Sequence, residues 1–461
     1  MSALLAIYKI PTYILDMPKT LKKPIQTVRG MRDMLPVDMP MFELIENEIR
    51  KAARDYSYGR LITPILEEYA LFKRTAGEAS DLVSKEMYTF EDRGGDKVVI
   101  RPELTAPAAR AYVEHGLVNL PQPVKIWYLE PMLRYDRPQA GRYRQFFQGG
   151  FESFGDASPV LDAEMCIIGI RILQSLKIPV KVHINSLGDN ESRTAYKKVL
   201  VAYLKQFVKK LPEDDQRRFT ENPLRVLDSK EKVTKEIIAD APKITDYLSE
   251  NAKEHFLKLI DYLEDLDIPY VLNPLLVRGL DYYTGTVFEF IPDSAEFITS
   301  EGKKREIPGG LLSLGGGGRY DKLIEEVGGK PTPAIGMALG IERIMNQIRE
   351  RGLASVPTYK PQIFLGHIGD DARKKMMNLF DMLRSQGARV AQAFSKEGIK
   401  AQLEVAHRLG VRYSVILGQK EIVDKTILIR DMESGIQETI DFKKAVSEIM
   451  KRLSKINENL L

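Results

Sequence analysis

Two strand-like runs sit in the middle of the chain, KIWYLEPMLRYD from Lys125 and RYRQFFQGGFESFG from Arg142, with the polar RPQAG between them supplying a Pro and a Gly. That order predicts an antiparallel hairpin, because a short loop of turn residues brings the chain back beside itself. Successive side chains of a strand point to opposite faces. The second strand therefore carries Arg142, Arg144, Phe146, Gln148, Gly150 and Glu152 on one face, and Tyr143, Gln145, Phe147, Gly149 and Phe151 on the other. A solvated face of an antiparallel sheet is one reading of the first set. Against it stand a lone Phe and a Gly among the charges, and the use of Arg without Lys. Arg grips phosphate through two parallel hydrogen bonds, and a flat ring between arginines suits stacking on a nucleobase. Arg134, on the first strand, joins the same neighbourhood.

Around the hairpin, 461 residues are too many for one ordinary core, and size alone allows about two to four domains. Residues 1–24 carry Pro11, Pro18 and Pro24 with no clear period and are expected to be an N-terminal arm. MFELIENEIRKAARDYSYG has helical spacing, and RLITP reads as a strand stopped by Pro64. After a helix from Asp162 to Leu176 and a strand from Val180 to Asn185, a charged helical stretch over about 191–266 is expected to be an insertion folded on its own. Strand character returns in VLNPLLVRGLDYYTGTVFEFI and in SLGGGGRYDKL, and GIERIMNQI closes a large α+β domain over 25–350. The glycine run lacks the Lys-Ser or Lys-Thr of a phosphate loop, so it predicts close backbone packing beside a ligand. A linker is expected over 351–361, and strands and helices alternate in 362–461 as in a small, mostly parallel α/β domain.

Several classes of function drop out. The five histidines are far apart and form no HExxH or HxxxH pair, which argues against a protein metal site. Cys166 lies in the apolar EMCIIGIRIL, where a buried small hydrophobe is the simplest use of it, and a lone cysteine fits a reducing, cytoplasmic setting. No run approaches the roughly 18 apolar residues of a membrane span. The net charge is +4, and all of it lies from Pro361 onward, where 17 Lys and Arg stand against 13 Asp and Glu.

The helix and strand ending at Pro64, the run LRYDRPQAGRYRQFFQGGFESFG, and AIGMALGIERI with Arg343 resemble motifs 1, 2 and 3 of the class II aminoacyl-tRNA synthetases, in order and over about 300 residues. VRGMRDMLP, RPELTAPAAR, NPLRVLDSK and LVRGLDYYTGTVFEF resemble signatures of the histidyl-tRNA synthetases, and the likeness runs from about 27 to 455. It implies an antiparallel catalytic sheet flanked by helices, a C-terminal anticodon-binding domain, and a homodimer. It also implies ligation of L-histidine to tRNA(His) through a histidyl-adenylate, with ATP as substrate, accompanied by Mg2+ and no dedicated metal site.

By the same resemblance, Arg278 and Arg134 are the catalytic pair at the α-phosphate and the histidine carboxylate, Arg278 standing where other class II enzymes place a metal ion. Arg142 and Arg343 hold the outer phosphates and Phe146 stacks on adenine. Glu103 and Thr105, with Leu104 between them, and Gln148 take the α-amino end of histidine. Glu152, Tyr282 and Tyr283 surround the imidazole, whose nitrogens a carboxylate and a phenol can read together. Lys396, Lys400, Arg408 and Arg412 are candidate phosphate contacts to tRNA, or ordinary solvated cations. Two positions depart from the pattern: Asp136 stands where motif 2 commonly has Glu, and Met31 where the opening motif has Thr.

A second reading is a non-catalytic regulatory subunit of ATP phosphoribosyltransferase, which lacks the tail domain and loses the ATP arginines. A third is a class II synthetase for proline or threonine. The C-terminal hundred residues and Arg134, Arg142, Arg278 and Arg343 speak against the second, and Glu152 with the paired tyrosines against the third.

Overall fold

The structure, a computed structural model, describes residues 25–77, 80–137, 141–293, 296–298, 304–306, 312–353 and 360–458. The expected arm over 1–24 lies outside the described residues, as does most of the expected linker. The described chain forms two compact units, residues 25–353 and 360–458. Among the described residues no helix is long and apolar enough to cross a membrane.

The first unit is built on an eight-stranded sheet. In chain order its strands are β1 (Gly59–Arg60), β2 (Val124–Leu133), β3 (Gln145–Phe154), β4 (Val180–Ser186), β5 (Tyr270–Leu272), β6 (Thr284–Pro292), β7 (Gly315–Arg319) and β8 (Ala334–Gly340), and in space they lie β1-β2-β3-β8-β7-β6-β4-β5. The pairs at the two edges are parallel and those between are antiparallel. The expected hairpin is β2 and β3, in register from Val124 opposite Phe154 to Leu133 opposite Gln145.

Alternation along these strands feeds two separate cores. Trp127, Leu129 and Phe151 pack with helices α1 (Met39–Asp55), α3 (Pro159–Ser175), α4 (Glu250–Asp265) and α5 (Ile341–Arg351) on one face. Ile126, Tyr128 and Phe154 pack on the other face with α2 (Thr105–Glu114) and with Tyr196, Leu200 and Leu204. Helix α1 can dock because Phe42, Ile45, Ile49 and Ala53 recur at helical spacing and are all buried; each large side chain so buried stabilises by about 1.5–3 kcal/mol. Helix α3 begins at Pro159, with the Ser158 hydroxyl accepting the Val160 N–H at 3.3 Å.

The last helix of the stretch expected to fold as an insertion docks on the main sheet instead. Phe256, Leu259 and Leu263 of α4 join the first core, and α4 packs along α3. Its charged outer residues hid an apolar stripe at spacings of three and four, so composition pointed to an independent unit where periodicity points to a docked helix.

The second unit holds a five-stranded sheet of β9 (Ile363–His367), β10 (Val390–Gln392), β11 (Tyr413–Leu417), β12 (Thr426–Asp431) and β13 (Gln437–Asp441), in the order β10-β9-β11-β12-β13. Its first three strands are parallel, but β12 and β13 are antiparallel, so the sheet is mixed. Only the short helix Gln419–Asp424 separates β11 from β12, and a parallel crossover needs a dozen residues or more.

Candidate active site

On the face of the sheet opposite α1 and α3 lies a cavity of about 550 Å³. Ten of the residues singled out in the sequence line it: Glu103, Thr105, Arg134, Arg142, Phe146, Gln148, Arg278, Tyr282, Tyr283 and Arg343. They come from the start of α2, the ends of β2 and β3, the turn before β6, and α5. Antiparallel order brings them together, since β3 and β8 are neighbours and β8 runs straight into α5.

The arginines are held in place by carbonyls and carboxylates. Arg134 Nε donates to the Pro102 carbonyl at 2.8 Å, and its guanidinium carbon lies 5.4 Å from the Phe146 ring centroid. Arg142 pairs with Asp136 at 3.1 Å. Arg343 Nη1 donates to the Ser313 carbonyl at 2.6 Å. Arg278 forms a close ion pair with Glu289 and lies 5.5 Å from the centre of the Tyr283 ring. Burial works against the charge on Arg278, yet Tyr283 and Glu289 outweigh it and hold the guanidinium above its usual pKa. Arg343 is shifted the other way, first by burial and then by the nearby charges of Arg142 and Arg134. Like charges that depress one another mark a place suited to a polyanion. Gly316 makes room at the floor, because a Cβ there would lie 3.0 Å from Arg278 Nη1 and 2.4 Å from the Phe288 carbonyl.

At the other end, Glu103 accepts the backbone N–H groups of Thr105 at 2.7 Å and Ala106 at 3.0 Å, which caps the first turn of α2. Burial still raises its carboxyl above the usual range. Glu342, the second residue of α5, accepts the Phe147 N–H with both oxygens, at 3.0 and 3.1 Å, and so fixes the Arg343 helix against β3.

Two predicted residues stand behind the wall. Leu104 is fully buried in the core and does not line the cavity, although its neighbours Glu103 and Thr105 do. Glu152 is fully buried as well, because at about 3.3 Å per residue it lies some 13 Å further along β3 than Gln148. Its carboxylate accepts from Thr105 Oγ1 at 2.8 Å, from the Tyr128 hydroxyl at 2.9 Å, and closely from the Tyr320 hydroxyl. Burial pushes Glu152 up to about 8 in spite of these donors. Gly336 permits the arrangement, since a Cβ there would fall 1.6 Å from Glu152 Oε2.

Sequence reasoning passed over Tyr128 and Tyr320. Gly150 was the available signal for the first, because it faces Tyr128 across the hairpin and a Cβ there would meet the ring at 2.2 Å. The GGGGRYD run carried the second but was weighed for its glycines alone. Asp228, Ser229, Lys230 and Glu231 also line the cavity. In the second unit Lys396, Lys400 and Arg408 are exposed, whereas Arg412 is paired with Asp431 at 2.9 Å.

The family model described as Histidyl-tRNA synthetase matches residues 30–344. A histidine–tRNA ligase of Dehalococcoides mccartyi is 42% identical over 429 residues, covering 93% of this chain and all of that protein. The chain belongs to the histidyl-tRNA synthetases. As a member of the histidyl-tRNA synthetase family it is a histidine–tRNA ligase, and aminoacylation of tRNA with histidine is its activity. Another relative, from Aquifex aeolicus, is 43% identical and covers 90% of this chain and 98% of its own length. A solved apo histidyl-tRNA synthetase of S. aureus superposes with a TM-score of 0.75 at 34% identity, covering 92% of this chain and 99% of that one. The model described as Anticodon binding domain matches residues 362–452.

Proposed function

We propose that the chain activates L-histidine with ATP to form histidyl-adenylate and then passes the histidyl group to the terminal ribose of tRNA(His). The observation that carries this reading is the gathering of Arg134, Arg142, Arg278 and Arg343 on one cavity that ends among Glu103, Thr105, Tyr282 and Tyr283. In the first step an oxygen of the histidine carboxylate attacks the α-phosphorus, the bond to the bridging oxygen breaks, and pyrophosphate leaves. In the second a hydroxyl of the terminal ribose attacks the acyl carbon and AMP leaves. The substrate supplies the nucleophile of the first step, so the protein contributes in-line positioning and preorganised positive charge.

Arg278 and Arg134 are the catalytic residues of this proposal, contacting the α-phosphate and the carboxylate. Arg142 and Arg343 take the outer phosphates, and Phe146 offers a ring to the adenine. Magnesium comes with ATP as its counter-ion and is part of the substrate. Glu103, Thr105 and Gln148 take the α-amino group. Tyr282 and Tyr283 face the imidazole, with Glu152 acting on it from behind through Tyr320, whose hydroxyl donates to Glu152 and whose ring lies 5.7 Å from that of Tyr282. A homodimer is supported by the apolar side chains next to Pro64, where Ile62 is 64% exposed and Ile65 is 47% exposed.

Charging with radiolabelled histidine, ATP and tRNA tests the whole cycle. The proposal expects a base-labile histidyl ester on the 3′ end of tRNA(His). Failure to label any tRNA, by a folded protein with histidine and ATP in excess, would defeat it.

A further inference from the structure

Three walls of the cavity meet on one carboxylate that is not itself part of the lining. Asp281 sits between the lining residues Leu280 and Tyr282, with its side chain turned toward the helical stretch. Asp281 Oδ2 pairs with Arg225 at 3.1 Å, and Oδ1 accepts from Asn222 Nδ2 at 3.1 Å. Past Arg225 the chain delivers Asp228, Ser229, Lys230 and Glu231 to the cavity. That turn is rigid, because buried Asp215 accepts from the hydroxyls of Ser229 at 2.5 Å and Thr234 at 2.6 Å.

The third wall is the segment after Gly77, which brings Asp81, Leu82 and Glu86 to the cavity. Gly77 has a φ of +83°, and a Cβ on it would lie 2.5 Å from Asp281 Oδ2, so the backbone passes directly against the carboxylate. The same segment is tied to the helical stretch a second time, by Asp81 with Arg218 at 3.3 Å and Arg217 at 3.9 Å. Exposed ion pairs of that kind contribute little alone. Asp281 is different, since Arg225 beside it is only 11% exposed, where an ion pair is screened less by solvent and salt than one at the surface.

We propose that Asp281 is a positioning residue: it holds the Arg278–Tyr283 turn, the segment after Gly77 and the 222–231 segment in one register, so that Arg278 and the tyrosine pair face the substrates. The inference rests on the proposed roles of Arg278, Tyr282 and Tyr283. Loss of the carboxylate loosens the turn without removing any group that touches substrate, and small misplacements of reacting groups can cost about a hundredfold in rate.

The test is ATP–pyrophosphate exchange with histidine in the full-length protein, with the fraction of active sites titrated independently. Asp281→Ala is expected to raise KM for histidine and lower kcat per titrated site, each by about tenfold. Asp281→Asn, which keeps the acceptor for Asn222, is expected to fall between Asp281→Ala and the parent. Asn222→Ala is expected to shift the same constants in the same direction, and the pair with Asp281→Ala to be non-additive. An Asp281→Ala protein that loses only active-site fraction, with KM and per-site kcat unchanged, would overturn the inference and leave a merely structural residue. Strict additivity with Asn222→Ala would do the same. Histidine exchange by the parent is measured alongside, so failure of the functional reading itself would be seen separately.

Discussion

Replacing Arg278 by Lys keeps a positive charge and removes the fork. In the structure the guanidinium pairs with Glu289 while lying against the Tyr283 ring, so it can hold the carboxylate and still aim a second N–H at the cavity. A lysine ammonium is a point charge and will settle on Glu289, leaving the α-phosphate without that donor. A hydrogen bond to a charged group contributes about 1.5–3 kcal/mol. At about 1.36 kcal/mol per factor of ten, the upper value corresponds to a loss of about 150-fold in adenylate formation. This agrees with the 10²–10³ that loss of one preorganised donor to a developing charge typically costs. Folding should change little, since the Glu289 pair survives. The assay is histidine-dependent pyrophosphate exchange, with thermal unfolding followed by circular dichroism. Exchange within about threefold of the parent, at an unchanged melting temperature, would refute the role given to the guanidinium.

Gly336→Ala should displace Glu152, because the new Cβ would sit 1.6 Å from its Oε2 and 2.8 Å from the Tyr320 hydroxyl. Its KM for histidine should rise by roughly tenfold with ATP affinity little altered, and an unchanged histidine KM would count against the Glu152 network as the imidazole reader. Glu342→Ala leaves the Phe147 N–H without its acceptor and should lower unfolding free energy by about 1–3 kcal/mol in urea. Glu152 gives a pH prediction. Its carboxyl is raised from 4.5 to about 8, so the fold favours the uncharged form. The associated stability is complete below the unfolded value and is lost as pH climbs through the folded one. Relative to Glu152→Gln, the parent should therefore become less stable between pH 5 and 8, by at most about 1.4 kcal/mol per unit. Parallel urea midpoints for the two proteins across that range would contradict it.

Much of this site could be read from the chain because the features that make it are local. A hairpin announces itself by two alternating runs and a turn, and β3 did place Phe146 and Gln148 toward the cavity. The glycine run was legible as close packing, and Gly316 beneath Arg278 shows what the packing serves. Depth along a strand was not legible. Glu152 shares a face with Gln148, but alternation cannot say that Tyr128 and Tyr320 cover it, because those contacts span 24 and 168 positions. Nor could charge content separate a docked helix from a free one, since the stripe of Phe256, Leu259 and Leu263 occupies a small part of a stretch rich in charged side chains of both signs. The mixed order of the second sheet was hidden for a similar reason, strand propensity being silent on direction.

As proposed, this cavity joins histidine, and no other amino acid, to the α-phosphate of ATP. ATP–pyrophosphate exchange run separately with each of the twenty amino acids measures that step without tRNA. Rapid exchange is expected with histidine and background with the rest. Exchange that depends on another amino acid, or on none, would rule out a histidine-specific cavity.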